Sequence, residues 1–153
     1  MYQLIMRKTS VIALLSAILL VGSLLGCKKS SPPPVSERIA KVWTASKVEE
    51  NNVTVYTKGG TSNVRDYTKF QLDLSKSPAV SYTEWDANKF VGQYTVPNDQ
   101  TLVLSNLNPS PTGDNGTITY TINSIDDSNL VLTRTTASLK TGGTTNKYTL
   151  TSP

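Results

Sequence analysis

Tyr67-Thr68-Lys69-Phe70-Gln71-Leu72-Asp73-Leu74 decides the fold class. Along an extended chain Phe70, Leu72 and Leu74 share one face and Lys69, Gln71 and Asp73 the other. That is the two-residue period of a half-buried β-strand, not the period of a helix. The alternation recurs downstream. Phe90-Val91-Gly92-Gln93-Tyr94-Thr95-Val96 repeats it, and Gly116 to Ile125 sets Ile118, Tyr120 and Ile122 against Thr117, Thr119 and Thr121. Leu130 and Leu132, then Tyr148 and Leu150, continue it to the end, and Val42 begins it. Abundant Thr and Tyr suit a pleated surface with one wet side.

Turn chemistry separates these runs: Ser77-Pro78, Asp86-Ala87-Asn88-Lys89, Pro97-Asn98-Asp99, Asp114-Asn115-Gly116, Asp126-Asp127-Ser128-Asn129 and Gly142-Gly143. Asn115-Gly116 supplies the positive φ angles of a tight hairpin. The spacing gives about eight or nine strands. Their links are short except Ser105 to Asp114, which Pro109 and Pro111 stiffen. Short links between successive strands predict an all-β, antiparallel, up-and-down meander. About eight such strands with one apolar face close into a small barrel. An open two-sheet sandwich fits the same pattern. Helix is expected only as a turn over Ser36 to Ala40, with Ser36 as its cap before Glu37. Gly59-Gly60-Thr61-Ser62-Asn63 and Gly142-Gly143-Thr144-Thr145-Asn146 read as two hairpin loops; neither precedes the helix that a phosphate-cradling loop needs.

The chain has 153 residues, 37% of them apolar, with one cysteine and no histidine. An internal disulfide is therefore excluded, as are imidazole acid–base chemistry and His-ligated zinc. Arg7, Lys8, Lys28 and Lys29 hold the excess charge; Ser36 to Pro153 carries 11 basic and 11 acidic residues. The basic residues of that segment are scattered singly, which argues against nucleic-acid binding.

The N-terminus reads as a targeting segment. Arg7 and Lys8 form a positive flank, and Val11 to Val21 is an apolar run broken only by Ser16. The run is short for a membrane-spanning helix and of the right length for a signal-peptide core. Leu24-Leu25-Gly26-Cys27 resembles the bacterial lipobox. That resemblance implies cleavage before Cys27, acylation of Cys27 with palmitate-type chains, and membrane attachment through that lipid. Lys28 stands where many lipoproteins kept in the inner membrane carry Asp, so the outer membrane is expected, with the periplasmic or outer surface left open. Lys28-Lys29-Ser30-Ser31-Pro32-Pro33-Pro34 is a tether with polyproline II character, enough to stand a domain off a bilayer by about 20 Å. The expected organisation is a signal peptide over 1–26, lipidated cysteine and tether over 27–35, and a barrel over 36–153.

Further landmarks line up in order: Ala40-Lys41-Val42-Trp43 at the first strand, Asp66-Tyr67 with Phe70, Gly92-Gln93-Tyr94, and Tyr120-Thr121-Ile122 leading to Leu130-Val131-Leu132. Together with the lipobox they resemble the lipocalin-like lipoproteins of Bacteroidota. The resemblance implies a barrel that binds a small apolar ligand without catalysis. It also implies a late-strand arginine, Arg134 by alternation, stacked on Trp43 as a plug.

Among candidate chemistries, Glu84 and Asp86 would lie about 7 Å apart if the strand ran through both, a spacing that suits glycoside hydrolysis. Asp86-Ala87-Asn88-Lys89 reads instead as a turn. The Asp126 and Asp114 clusters hold oxygen ligands but too few for a calcium loop. No catalytic residue, metal site or cofactor is expected, and no protein partner is legible. Phe70, Tyr94 and Tyr120 are the expected ligand lining, lying mid-strand on inward faces. The alternative is a structural or protein-interaction lipoprotein, an envelope inhibitor included, whose filled barrel takes no ligand.

Overall fold

The computed structural model describes residues 31–153. The leader, the lipobox and Cys27 lie outside them. A short helix α1 (Val35–Arg38) precedes nine strands: β1 (Val42–Glu50), β2 (Val53–Thr57), β3 (Gln71–Lys76), β4 (Ala79–Thr83), β5 (Lys89–Asn98), β6 (Thr101–Asn108), β7 (Ile118–Ile125), β8 (Asn129–Arg134) and β9 (Asn146–Thr151). The sheet order is β2-β1-β3-β4-β5-β6-β7-β8-β9, and β1 also pairs with β9. That last pairing closes the sheet into an antiparallel barrel and excludes the open sandwich.

Nine strands form eight staves of the wall, because β2 and β3 share one. β3 pairs with Val42 to Thr44 of β1, while β2 pairs with Lys47 to Glu50 on the same edge. Both run antiparallel to β1. They are two pieces of one interrupted stave, with residues 58–70 looping out between them. Val64 and Arg65 fold back and donate their amides to the Val55 carbonyl at 2.9 and 3.3 Å, occupying the outer edge of β2. The expected strand over Tyr67 to Leu74 is therefore half right. Gln71 to Leu74 is strand, but Tyr67 to Phe70 is a turn closed by Phe70 N–H to the Tyr67 carbonyl at 3.1 Å. Both aromatic rings point inward all the same, so the side-chain pattern outlived the strand.

Bulges reset the alternation. In β1 the inward residues are Trp43 and Ala45, then Val48 and Glu50, because the register with β9 shifts between Ala45 and Lys47. In β6 they are Leu102 and Leu104, then Leu107, across a register shift that includes Asn106 at φ 52°. The stiff link expected from Ser105 is correspondingly shorter, since β6 runs through Asn108. Gly92 faces this bulge. A Cβ there would lie 2.5 Å from the Ser105 carbonyl oxygen, so only glycine allows β5 and β6 to approach so closely. At Asn115 and Gly116 φ is 48° and 74°, the paired positive angles expected, but the turn they make lies inside the long link between β6 and β7 and is not a tight hairpin joining them.

The two barrel ends differ. At one, α1 and the residues after it form a stopper. Ile39 is fully buried, and the Trp43 indole N–H donates to its carbonyl at 2.8 Å. Arg38 donates to the Ile125 carbonyl, and Lys41 Nζ to the Asp127 carbonyl at 2.6 Å. Pro34 is the N-cap and makes no side-chain cap bond; Ser36 lies within the helix, so the expected Ser36 cap is not formed. The other end, here called the mouth, gathers the turn at Asn51-Asn52, residues 84–88, 109–117 and 135–145.

Aromatic rings fill the space between. Phe70 stacks on Tyr148 with centroids 4.9 Å apart. Tyr82 and Tyr67 pack on Phe70 at 5.8 and 6.2 Å, Phe90 on Tyr82 at 5.8 Å, and Tyr120 on Tyr148 at 6.1 Å. Such pairs contribute roughly 0.5–1.5 kcal/mol each beyond the area they bury. An eight-stave barrel has an interior just wide enough for its own side chains.

Candidate functional site at the barrel mouth

The mouth is closed by ion pairs. Glu84 leaves the end of β4 and is 4% exposed. Lys140 comes from a 3-10 turn (Leu139–Thr141) in the long β8–β9 connection. Its ammonium reaches Glu84 Oε2 at 2.5 Å and Asp86 Oδ2 at 2.7 Å, with the Phe90 ring centroid 6.0 Å away. The turn expected at Asp86 forms, with Asn88 N–H donating to Asp86 Oδ1 at 3.2 Å. The two carboxylates therefore share one cation and are not arranged as an acid and a base across an open cleft.

Burial raises the Glu84 pKa, with Lys140 pulling the other way and Asp86 adding to the rise. Burial works against the charge of Lys140, but Asp86 and Glu84 outweigh it and hold its pKa above the ordinary value. Asp86 feels some burial too, yet the Lys140 hydrogen bond wins and its pKa falls.

A second pair lies deeper. Arg134 ends β8 pointing inward, 2% exposed, and its guanidinium donates to Asp114 of the β6–β7 turn. The expected stack on Trp43 does not form. The cation over Trp43 is Lys41, 5.9 Å from the ring centroid, at the opposite end of the barrel. Alternation placed Arg134 on the correct face but not at the correct end: β8 runs towards the mouth, whereas Trp43 sits where β1 begins.

A third group anchors residues 58–70. Glu50 Oε1 accepts from Arg65 Nε and from the Tyr67 hydroxyl, both at 2.8 Å. Arg65 lies over the Trp85 ring at 4.7 Å. Burial pushes the Tyr67 hydroxyl well above its usual pKa. On the other side of the mouth Asn146 is 1% exposed. Its Oδ1 accepts from Thr144 at 2.7 Å and Thr141 at 3.2 Å, and its Nδ2 donates to the Tyr148 hydroxyl at 3.1 Å. Among the described residues, no group of three or more acidic or sulfur ligands is placed to hold a metal.

Phe70, Tyr94 and Tyr120 do not meet in one lining. Phe70 and Tyr120 flank Tyr148 from two sides. Tyr94 lies towards the stoppered end, its hydroxyl donating to the Leu74 carbonyl at 3.0 Å. None of the three lines either surface cleft. One cleft, about 230 Å³, lies outside the wall over Asp73, Lys76, Ser81 and Lys89. The other, about 270 Å³, opens where β1 passes from β3 to β2, over Ala45, Tyr56, Lys58 and Thr68. Sequence reading missed Glu50, Arg65 and Lys140. Glu50 sits inward only because of the β1 bulge, and the other two lie in loops where no period operates.

No protein-family model and no curated protein matches the sequence. Among solved structures the chain is similar to a lipocalin-like protein from Bacteroides uniformis, at 14% identity and TM-score 0.53, over 76% of this chain and 99% of that one. It also aligns with an uncharacterized protein from Bacteroides eggerthii at 11% identity and TM-score 0.46, over 74% and 98% of the two chains. At 14% identity the first likeness concerns the fold alone, and the fold of this chain is a lipocalin-like barrel.

Proposed function

We propose that this chain is a lipid-anchored domain of the cell envelope that acts through its surface, by holding a protein partner, and that its barrel is filled. The carrying observation is the interior. Phe70, Tyr82, Tyr120 and Tyr148 occupy it ring against ring, each at most 3% exposed, and the ion pairs of Lys140 and Arg134 cap it. A carrier needs a pocket of some 300 Å³ or more that buries its ligand. Acylated Cys27 would hold the chain on the outer membrane, without catalysis. The tether joins the domain at α1, in the stoppered end, so the loops of the mouth form the face away from the attachment point. The exposed Leu139, in the β8–β9 connection, belongs to that face.

The cleft over Ala45 and Tyr56 favours a second reading, in which one small apolar molecule binds in the wall gap and not in the barrel. Native mass spectrometry of the full chain, extracted from its own host in mild detergent, separates the two. The first reading expects a mass equal to the mature chain plus its acyl groups in every preparation. A reproducible further mass that disappears in Tyr56→Ala supports the second. A mass showing Cys27 unacylated and the leader intact refutes the anchor.

A further inference from the structure

The β8–β9 connection covers the mouth without sharing the core. Of the described residues between Leu132 and Tyr148, none is a buried apolar side chain; the buried ones are Arg134, Ser138, Thr141 and Asn146. The tip of the connection bonds mainly to itself. Ser138 N–H donates to the Thr144 carbonyl at 2.8 Å, Gly143 N–H to the Ser138 carbonyl at 2.8 Å, and Gly142 N–H to the Leu139 carbonyl at 3.1 Å. Gly142 and Gly143 have no atom within 4 Å of where a Cβ would stand. Side chains fasten the tip to the rest of the mouth. Lys140 Nζ reaches Glu84 and Asp86, and Leu139 lies on Gly113 of the β6–β7 link. At the foot, Thr145 exchanges two hydrogen bonds with Asn51, both at 2.9 Å. A segment without buried apolar contacts belongs to the low-stability end of a fold. Lifting this one exposes no buried apolar side chain of its own, so the main hold on it is the shielded ammonium of Lys140 between two carboxylates.

We propose that residues 135–145 form a lid that opens as a unit while the nine strands stay paired, and that Lys140 is its latch. Closed, the lid keeps Glu84 and the Phe90 ring, each 4% exposed, away from solvent. Open, it uncovers both on the face away from the tether. The device therefore controls the exposure of a carboxylate beside an aromatic ring.

Native-state hydrogen exchange on the full chain in mild detergent tests this, at urea concentrations below the unfolding transition. The amides of Ser138, Gly143 and Thr145 are all hydrogen-bonded and report the lid; those of β8 report the barrel. The lid amides should share one opening constant, exchange faster than those of β8 and depend little on urea, because their opening exposes little surface. Lid amides that follow β8 in rate and urea slope open only with the barrel, which overturns the proposal. Three unrelated opening constants describe local fraying and overturn it too. Lys140→Met should speed the lid amides at least about tenfold, and unchanged rates overturn the latch. A lock gives a second variant. A Cβ on Gly113 would stand 3.5 Å from Leu139 Cβ, within disulfide reach. In Gly113→Cys with Leu139→Cys, oxidation should slow the lid amides at least about tenfold and reduction should restore them. Equal rates in the two forms overturn the proposal, even where Lys140→Met fails to fold.

Discussion

Lys140 donates to Glu84 Oε2 at 2.5 Å across 56 residues of sequence, joining the β8–β9 connection to the end of β4 on the opposite wall of the barrel. The pair is shielded, with side-chain exposures of 16% for Lys140 and 5% for Glu84. Removing Lys140 strands Glu84. Lys140→Met is expected to cost about 2–4 kcal/mol because it leaves the Glu84 carboxylate buried without its cation. Glu84→Gln keeps a polar partner for Lys140, which also retains Asp86, and should cost less. The double variant should recover part of the loss. A double-mutant cycle by urea denaturation measures the coupling; additive losses would show that the pair contributes nothing of its own.

The same site sets a pH dependence. Burial raises the folded-state pKa of Glu84 above its ordinary value of 4.5. A carboxyl with a raised folded pKa binds its proton more tightly in the folded chain. Its contribution therefore favours folding at low pH and is lost as pH rises through the raised value. Asp73 and Asp126 behave oppositely. The Ser75 hydroxyl and amide lower Asp73, and the Ser128 amide with Asn129 lowers Asp126, so their stabilisation is present above the ordinary Asp value and lost as pH falls through the lowered ones. The Tm of Glu84→Gln minus that of the wild type should therefore grow as pH is raised upward from 4.5. A difference that shrinks over that range contradicts the sign.

Gly92 is required by a contact, not by its φ. Gly92→Ala places a methyl 2.5 Å from the Ser105 carbonyl oxygen and 3.0 Å from that of Asn106. The β5–β6 bulge must open, at a cost of about 1–3 kcal/mol. Gly142→Ala has no atom within 4 Å of the added carbon, and its cost is limited to the strain of φ 83°. Equal melting temperatures for Gly92→Ala and the wild type would show that the bulge relaxes freely.

Phe70 separates a packed core from a ligand lining. As a core ring stacked on Tyr148, Phe70→Ala should cost about 3–5 kcal/mol. A ring lining a site of its own would leave the fold nearly as stable and remove only binding. Chemical denaturation of Phe70→Ala beside Leu72→Ala, an undoubted core change, gives the comparison; a loss below about 1 kcal/mol would move Phe70 out of the core.

Period-2 alternation made most of the barrel legible. It placed Ile118, Tyr120 and Ile122 inward in β7, Leu130, Leu132 and Arg134 in β8, and Tyr148 and Leu150 in β9. It lost the phase where one extra residue enters a strand, at Ser46 in β1 and near Asn106 in β6, because a bulge leaves no compositional mark. The partners of Arg134 and Glu84 were illegible for another reason. Asp114 and Lys140 lie in connections whose path depends on barrel closure, and closure is a long-range pairing of β1 with β9 that no local pattern encodes. The Asn115-Gly116 turn was legible because its chemistry is local. For the site the same signal said less. Inward alternation picked out Phe70, Tyr94 and Tyr120, but it marks core and lining alike.

The central claim is that the barrel interior is full. A crystal structure determined under xenon pressure tests it most directly, because xenon enters apolar cavities of the size of a lost side chain. A filled barrel predicts no xenon among Phe70, Tyr82, Tyr94, Tyr120 and Tyr148, with any bound atom confined to the wall cleft over Ala45 and Tyr56. Xenon seated between those rings would contradict the account and return the chain to the carriers of small apolar molecules.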